Sequence, residues 1–390
     1  MIPYSRQNIT RKDIEAVVEV LESDFLTQGP AVKDFEHAIA SYCEVQHGVA
    51  TCNATAALHL ACLALGVDSD SLVWAPAISF VASANCARYC GAEVDFVDVC
   101  PDSGLIDAVT IGEKLERAKR LGLAIPDVLI VVHLAGQSCD MESIHKLCQP
   151  YGIKIIEDAC HALGGSYQAA PIGNCSYSDC AVFSFHPVKP ITSAEGGMFL
   201  TASEELAEKV RTLCSHGIVR DADRMHNHPK GGWYYEQQLL GFNYRLSDVH
   251  AVLGLSQTQR LQDIVQKKQH LASVYYSILG SDDVCLVPAV SPNSSGCAWH
   301  LFPVLFPTSE SRDLAFKLLR EQGFGVNIHY EPIPQQPYYA QLREYEAYPG
   351  ADYYASHTLS LPLFAELDES VIQQVVDICC GAVADIGMSS

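Results

Sequence analysis

What this chain has little of already excludes several kinds of protein. It carries 25 Lys and Arg against 46 Asp and Glu, for a formal net charge of −21 and a sequence pI near 5.0. A chain so short of positive charge is not built to hold nucleic acid or an anionic membrane surface, and an anionic ligand needs a locally constructed site. Long apolar runs are missing too. The longest nearly apolar one, Ala54 to Val67, is interrupted by Thr55 and His59 and is shorter than a membrane span requires. The N-terminus, MIPYSRQNITRKD, lacks an apolar signal core, so a cytoplasmic protein is expected. Sixteen cysteines are present, yet none makes a C-x-x-C pair, and Cys62, Cys86, Cys148, Cys180 and Cys379 lie inside apolar runs. Buried free thiols account for them better than disulfides or a structural zinc, and no metal site is expected. There is no internal repeat or low-complexity segment.

A local scarcity singles out one stretch. Between Lys154 and Lys209 the only Lys or Arg is Lys189, at the centre of DCAVFSFHPVKPITSAEGGM, Asp179 to Met198. Ala181 to Phe185 reads as a short buried strand, because small, β-branched and aromatic residues run together without charge. Pro187 and Pro190 bracket the lysine and push it onto a stiff, extended loop. Gly196 and Gly197 then release the chain into a second apolar run, Met198 to Ala202. Desolvation lowers an ammonium's pKa and makes the amine available as a nucleophile that can form a Schiff base. Taken alone, the stretch fits a loop lysine with no role at least as well.

At 390 residues the chain suits two domains, one larger than the other. Thr10 with Asp13 signals a helix start, and Ile14, Val17, Val18 and Leu21 recur at helical spacing to about Glu22. A second amphipathic helix carries Val32, Phe35 and Ile39, and Gly48 to Thr51 is a strand before a buried helix starting near Ala54. Strands at Leu72 to Ala75, Glu93 to Val99, Asp127 to His133 and Lys154 to Glu157 then alternate with helices at Ser79 to Tyr89, Val109 to Leu121 and Met141 to Tyr151. This alternation is the pattern of an α/β layer with a mostly parallel sheet, whose ligands bind outside the carboxyl ends of the strands. The polar residues there are Asn53 and Thr55, Ser79, His133, Asp158, and Ser184 with Lys189. Arg220 to Gly232 reads as a polar loop, and Leu246 to about Ile278 as one long helical stretch leading to a smaller α+β region. That region has a Pro/Ser-rich loop at Val287 to Ser295, strands at Trp299 to Phe306 and Val326 to Tyr330, and helices at Arg312 to Gln322 and Glu369 to Ala382.

Asp158 ends a buried strand in IKIIEDACHALGG, where a carboxylate is costly unless paired. It is either a structural cap or the partner that keeps a pyridinium nitrogen protonated; a desolvated lysine further on adds weight to the second. The NATAAL segment offers Ala54, Thr55 and Ala56 at a helix N-terminus, a setting that binds phosphate, and Ser184 can supply another hydroxyl. Asn53 is equally a simple helix cap. Phe80 either stacks on a flat ring or, by its residue type, belongs to the core.

The pieces SDFLTQGP, CNATAALHL, ISFVASAN, EDACHALGG, SFHPVKPITSAEGG, LGFNYRLSD and VNIHYEPI, with IPYSRQ, VHLAGQSCDM and SHGI, stand in an order that resembles the DegT/DnrJ/EryC1/StrS sugar aminotransferases essentially end to end. The resemblance implies a pyridoxal phosphate transferase of fold type I, with a large domain at 1–250 and a linking helix and small domain at 251–390. Lys189 would carry the cofactor covalently, Asp158 would face its ring nitrogen, His161 would sit near its phenolic oxygen, and Phe80 would stack on it. Ala54, Thr55 and Ser184 would hold the phosphate, helped by Asn243 of a neighbouring subunit, so a homodimer with shared sites is implied. Tyr4, Asp24, Phe25, Leu26, Thr27, Asn327, Ile328, His329 and Tyr330 would contact a nucleotide sugar. The implied reaction moves the amino group of L-glutamate, by way of pyridoxamine phosphate, to a UDP-linked 4-keto sugar; a perosamine or aminoarabinose precursor is the alternative acceptor. A branch of the family that deoxygenates instead has histidine in place of the lysine, so Lys189 favours transamination. The rival from another class is a sugar-nucleotide-binding regulator without turnover.

Overall fold

A computed structural model describes residues 1–228, 230–280, 286–290, 296–342 and 346–387. In chain order its strands are β1 (His47–Thr51), β2 (Leu72–Pro76), β3 (Glu93–Val97), β4 (Val128–Val132) and β5 (Lys154–Asp158), a hairpin of β6 (Ser166–Tyr167) and β7 (Ala170–Pro171), then β8 (Cys180–Ser184) and β9 (Gly197–Thr201), a short pair β10 (Ile218–Val219) and β11 (Glu236–Gln237), and finally β12 (Val287–Pro288), β13 (Phe302–Leu305) and β14 (Thr358–Leu361). The helices are α1 (Arg11–Leu21), α2 (Pro30–Tyr42), α3 (Ala54–Ala64), α4 (Ala82–Tyr89), α5 (Ala108–Leu121), α6 (Met141–Cys148), α7 (Glu204–Cys214), α8 (Asp248–Thr258), α9 (Leu261–Leu279), α10 (Ser309–Glu321), α11 (Pro337–Ala340), α12 (Pro349–His357) and α13 (Glu369–Gly387).

The central sheet has the order β1-β9-β8-β5-β4-β2-β3. From β3 to β8 neighbouring strands are parallel, and β9 alone runs against both of its neighbours. All five residues of β4, VLIVV, are buried, as a strand covered on both faces requires. The parallel strands therefore end along one edge, and β5 and β8 deliver Asp158 and Ser184 to it.

Local signals explain most helix ends. Thr10 and Asp13 close a capping box on α1, Asn53 caps α3 through its side chain, and Asp107 caps α5. The long helix expected from Leu246 is broken in two, because the chain leaves helical geometry at Arg260 (φ −121°, ψ 14°). Arg260 instead turns its guanidinium onto Asp13 and the Asn8 carbonyl, tying α1 to this corner.

The small region carries the antiparallel sheet β12-β13-β14, with α10 and α13 packed together beneath it. No strand forms at Val326 to Tyr330. Asn327 makes a single bridge to Ser360 of β14, after which the chain departs so that His329 bonds the Ser360 hydroxyl at 2.8 Å and Tyr330 faces the large domain. Part of the Pro/Ser-rich loop forms β12, while residues 291–295 lie outside the described residues. Helix α13 is, among the described residues, long and apolar enough to cross a membrane by length and composition. Its apolar stripe, Val371, Ile372, Val375, Val376, Cys379 and Ala382, is buried in the small region's core.

Candidate active site

At the carboxyl edge of the sheet lies a cavity of about 420 Å³. Its floor is the end of β5. Asp158 is buried there, accepting from Ser83 Oγ at 2.6 Å and from the backbone N–H of Cys160 at 3.2 Å, while Ser79 and Ser83 share a hydroxyl contact of 2.7 Å. Ser83 was not anticipated, since nothing in PAISFVASAN marks it apart from its neighbours; only the docking of α4 brings its hydroxyl to Asp158.

Lys189 stands on the cavity wall, on a turn closed by its own N–H to His186 O at 2.9 Å. The loop is tied back on itself: Phe185 N–H donates to Gly196 O at 2.9 Å, Ser193 N–H to Phe185 O at 3.0 Å, and Thr192 Oγ1 to the same carbonyl at 2.7 Å. From the N-terminal arm, Ser5 Oγ donates to Val188 O at 2.8 Å. Burial pushes the ammonium pKa down, partly offset by Cys160 and Asp158. Desolvation of this kind favours the neutral amine over the ammonium.

The opposite wall is the first turn of α3. Asn53 takes the N–H of Ala56 on its side chain at 2.8 Å and that of Ala57 on its carbonyl at 3.2 Å, leaving the first two amides, Ala54 and Thr55, for a ligand. Gly197 explains how the loop after Lys189 reaches this turn: a Cβ there would lie 2.5 Å from Asn53 O and 2.7 Å from Ala54 N. Backbone amides and a helix N-terminus form an anion site without any cation. Ser184 lines the same wall.

The roof comes from both regions. Phe80 is 57% exposed and faces the cavity, its ring 6.2 Å from that of Tyr330, so the assignment to the core fails: β2 ends at Pro76 and the residue sits on the loop beyond the sheet. His161 is buried and accepts from Ala135 N–H on Nδ1 at 3.3 Å, which leaves its proton on Nε2, 3.4 Å from the Tyr330 hydroxyl. Gly136 permits this contact, since its φ of +95° and the 2.9 Å from an ideal Cβ to both His161 O and Trp299 N leave no room for a side chain. The His300 ring lies 4.3 Å from that of His161, tilted by 45°, and its Nδ1 has no partner among the described residues. Burial, then Lys189, drives His161 well below the ordinary imidazole range, and the same two causes bring His329 down to about 3. Both rings therefore favour the neutral form.

Tyr4, Asn327, His329 and Tyr330 line the cavity. Ile328 does not: it packs into the small region's core on the other side of the chain. Asp24, Phe25, Leu26 and Thr27 are exposed and lie away from this chain's cavity, where Leu26 O accepts from Asp248 N–H and Thr27 bridges Ser247. Asn243 is likewise exposed, on a segment bridged to Ser215 behind β1, and does not line the cavity. His133, at the end of β4, turns away to Glu157 at 2.9 Å. Of the lining residues, Lys189 alone is a Lys or Arg.

A buried carboxylate, a desolvated lysine, an anion-binding helix end and an exposed aromatic face share one cavity, an arrangement suited to an anionic aromatic cofactor and amine chemistry. Comparison with known proteins agrees. The sequence profile of the DegT/DnrJ/EryC1/StrS aminotransferase family matches residues 7–379. The chain is 34% identical over 370 residues, 94% of each protein, to the UDP-4-amino-4,6-dideoxy-N-acetyl-β-L-altrosamine transaminase of Campylobacter jejuni. It superposes with a TM-score of 0.88 and 30% identity on Helicobacter pylori PseC, an aminotransferase involved in pseudoaminic acid biosynthesis, covering 98% of this chain and 99% of that one. The PLP form of the putative sugar aminotransferase Spr1654 from Streptococcus pneumoniae gives 0.87 at 26% identity, covering 99% of each.

Proposed function

The chain belongs to the DegT/DnrJ/EryC1/StrS aminotransferase family, and from that premise we propose that it transfers the amino group of L-glutamate, through pyridoxal phosphate, to C4 of a UDP-linked 4-keto-6-deoxy-N-acetylhexosamine. The product is UDP-4-amino-4,6-dideoxy-N-acetyl-β-L-altrosamine, made in the cytoplasm. Its fold is the α/β fold type I of pyridoxal phosphate aminotransferases. The observation that carries the proposal is Lys189 and Asp158 facing one cavity whose far wall is the open amide end of α3. We retain the division into a large domain at 1–250 and a linking helix with a small domain at 251–390; the separate apolar cluster under β12-β13-β14 supports it.

The residues fit the cofactor. The amides of Ala54 and Thr55, with the Ser184 hydroxyl, would hold the phosphate, and Phe80 would cover the ring. Asp158, kept oriented by Ser83, would hold the ring nitrogen's proton. His161 would donate its Nε2–H to the phenolic oxygen. When bound, pyridoxal phosphate supplies an electron sink for charge developing on the substrate carbon. Lys189, as a free amine, would take the proton from the substrate carbon that bears nitrogen and would return one on the far side of that nitrogen, for glutamate and in the reverse sense for the sugar. Its lowered pKa keeps a larger share of the amine unprotonated and able to do so. The neutral His329 and Tyr330, with Tyr4 and Asn327, would face the sugar. Asn243 of the partner subunit would complete the phosphate site of a homodimer; its exposure, away from its own cavity, supports that reading. The exposed segment from Asp24 to Thr27 lies beside the same Ser247–Asp248 corner, so we place it with Asn243 on the shared face.

Incubation with L-glutamate and a panel of UDP-, GDP- and dTDP-linked 4-keto sugars, with products assigned by NMR, tests the proposal. Amination of the UDP-linked N-acetylhexosamine is expected. A clear preference for a GDP- or dTDP-linked sugar, including a perosamine precursor, defeats the substrate assignment, and no turnover with any acceptor favours a binding protein.

A further inference from the structure

The turn that carries Lys189 has little of its own to keep it in place. Pro187 and Pro190 have no N–H to give, and from His186 to Thr192 the one backbone bond made within the segment, among the described residues, is Lys189 N–H to His186 O at 2.9 Å. Two hydrogen bonds reach residues 187–192 from other elements, one on each side of the lysine. Ser5 Oγ donates to Val188 O at 2.8 Å, and Thr192 N–H donates to Gln257 Oε1 at 3.0 Å. Both partners are shielded from water, Ser5 being 7% exposed and Gln257 1%.

The two bonds meet in the N-terminal arm. Its first residues lie on the small region, where Ile2 N–H donates to Gly323 O at 2.8 Å, Ile2 O accepts from Gly325 N–H at 2.6 Å, and Tyr4 O accepts from Leu363 N–H at 2.9 Å. Ser5 then crosses to the lysine turn. Three residues on, Asn8 O accepts from Gln257 Nε2 at 3.3 Å and from Arg260 Nη2 at 2.7 Å, which fastens the arm again at the end of α8. The Gln257 amide has one workable orientation, because Thr192 N–H offers only a donor and Asn8 O only an acceptor: its oxygen faces the lysine turn and its nitrogen faces the arm. An apolar side chain of similar size supplies neither contact.

We propose that Ser5 and Gln257 are positioning residues for Lys189, forming a brace through which the N-terminal arm holds the lysine turn against the cavity. The proposal rests on the reading of Lys189 as the group that moves the proton. An amine that must meet a proton in line loses rate when its backbone anchor drifts by an ångström. Neither Ser5 nor Gln257 lines the cavity, and Tyr4 keeps its own bond to Leu363 when Ser5 is changed, so loss of the brace should cost rate and not affinity.

The first readings are made on the cofactor-free full-length chain, by hydrogen exchange and mass spectrometry. In the unaltered protein the peptide covering 186–194 should exchange at least about tenfold more slowly than the same peptide of the urea-unfolded chain. In Ser5→Ala and in Gln257→Leu it should exchange about tenfold faster than in the unaltered protein, while a peptide from β4 is unchanged. Ser5→Thr, which keeps the hydroxyl, should restore the protection. With cofactor, L-glutamate and the UDP-linked acceptor, Ser5→Ala should show a kcat about tenfold lower at an acceptor KM within about twofold, and Ser5→Thr should recover the rate. An unprotected turn in the unaltered protein overturns the proposal without any variant having to fold. So do variants that exchange and turn over like the unaltered protein, or that exchange faster in β4 to the same degree. An unaltered protein inactive toward every acceptor counts against the proposed reaction instead, and the exchange readings still decide the brace.

Discussion

Two lysines among the described residues have their ammonium pKa pushed down by burial, and they sit in very different settings. Lys189 stands on a looped wall facing a cavity and a carboxylate; Lys268 lies in the middle of α9 and does not line that cavity. Both ammonium groups are shifted down by burial, Lys268 to about 8. Among the described residues Lys268 makes no ion pair, and only the Cys297 thiol and Glu366 favour its charge. A depressed pKa therefore does not identify a nucleophile. What separates the two is space for a reacting partner and a group placed to act on it.

The comparison breaks first at the lysines themselves. Lys189→Ala should lower turnover by about four orders of magnitude while leaving far-ultraviolet circular dichroism unchanged; a variant with a tenth of wild-type rate would mean another group moves the proton. Asp158→Asn should retain bound cofactor yet slow the glutamate half-reaction by roughly a hundredfold, because an amide cannot hold the ring proton in place. Stopped-flow absorbance of that half-reaction decides it, and a wild-type rate removes Asp158 from the mechanism.

Whether the cavity is complete within one chain is a finer question. A heterodimer of Lys189→Ala and Asn243→Asp chains, purified by two affinity tags, should contain one intact site if Asn243 acts across the interface, and so show activity well above either parent. If Asn243 serves its own chain, neither site is intact and no activity returns.

Lys268 gives the smallest effect on turnover and the clearest on stability. Its pKa falls from an ordinary 10.5 in the open chain to about 8 in the folded one, so between those values the unfolded chain binds more protons and stability rises with pH. Below about pH 8 the folded protein carries the full cost of a buried charge, on the order of 3 kcal/mol. Lys268→Met should accordingly melt above the wild type at pH 7, with the gap closing between pH 8 and 10.5, and turn over within about twofold of it. A lower melting temperature at pH 7 would show that the ammonium has a stabilising partner.

Much of the site was legible in the sequence, because its parts are carried by backbone punctuation. Pro187, Pro190, Gly196 and Gly197 mark a non-helical wall around Lys189, although the extended loop expected there is a turn closed by Lys189 N–H on His186 O, and Asn53 before a run of small residues marks an open helix end. Asp158 could be read from a carboxylate closing an apolar strand. Ser83, His300 and Lys268 could not, since each owes its position to the docking of one element on another and has no local signature. Phe80 misled in the other direction: residue type favours burial, while the turn after β2 points the ring into the cavity. The strand expected at Val326 to Tyr330 failed for a related reason. Its apolar and aromatic residues suit a strand, but β14 offers it only one bridging position before the chain leaves for the pocket.

Reduction of the cofactor-loaded protein with borohydride, followed by peptide mapping, sets the two lysines against each other directly. The site described here requires the reduced pyridoxyl group on the peptide containing Lys189 and none on that containing Lys268. An adduct on Lys268 or another lysine, or no adduct in a protein shown to have bound pyridoxal phosphate, would contradict it.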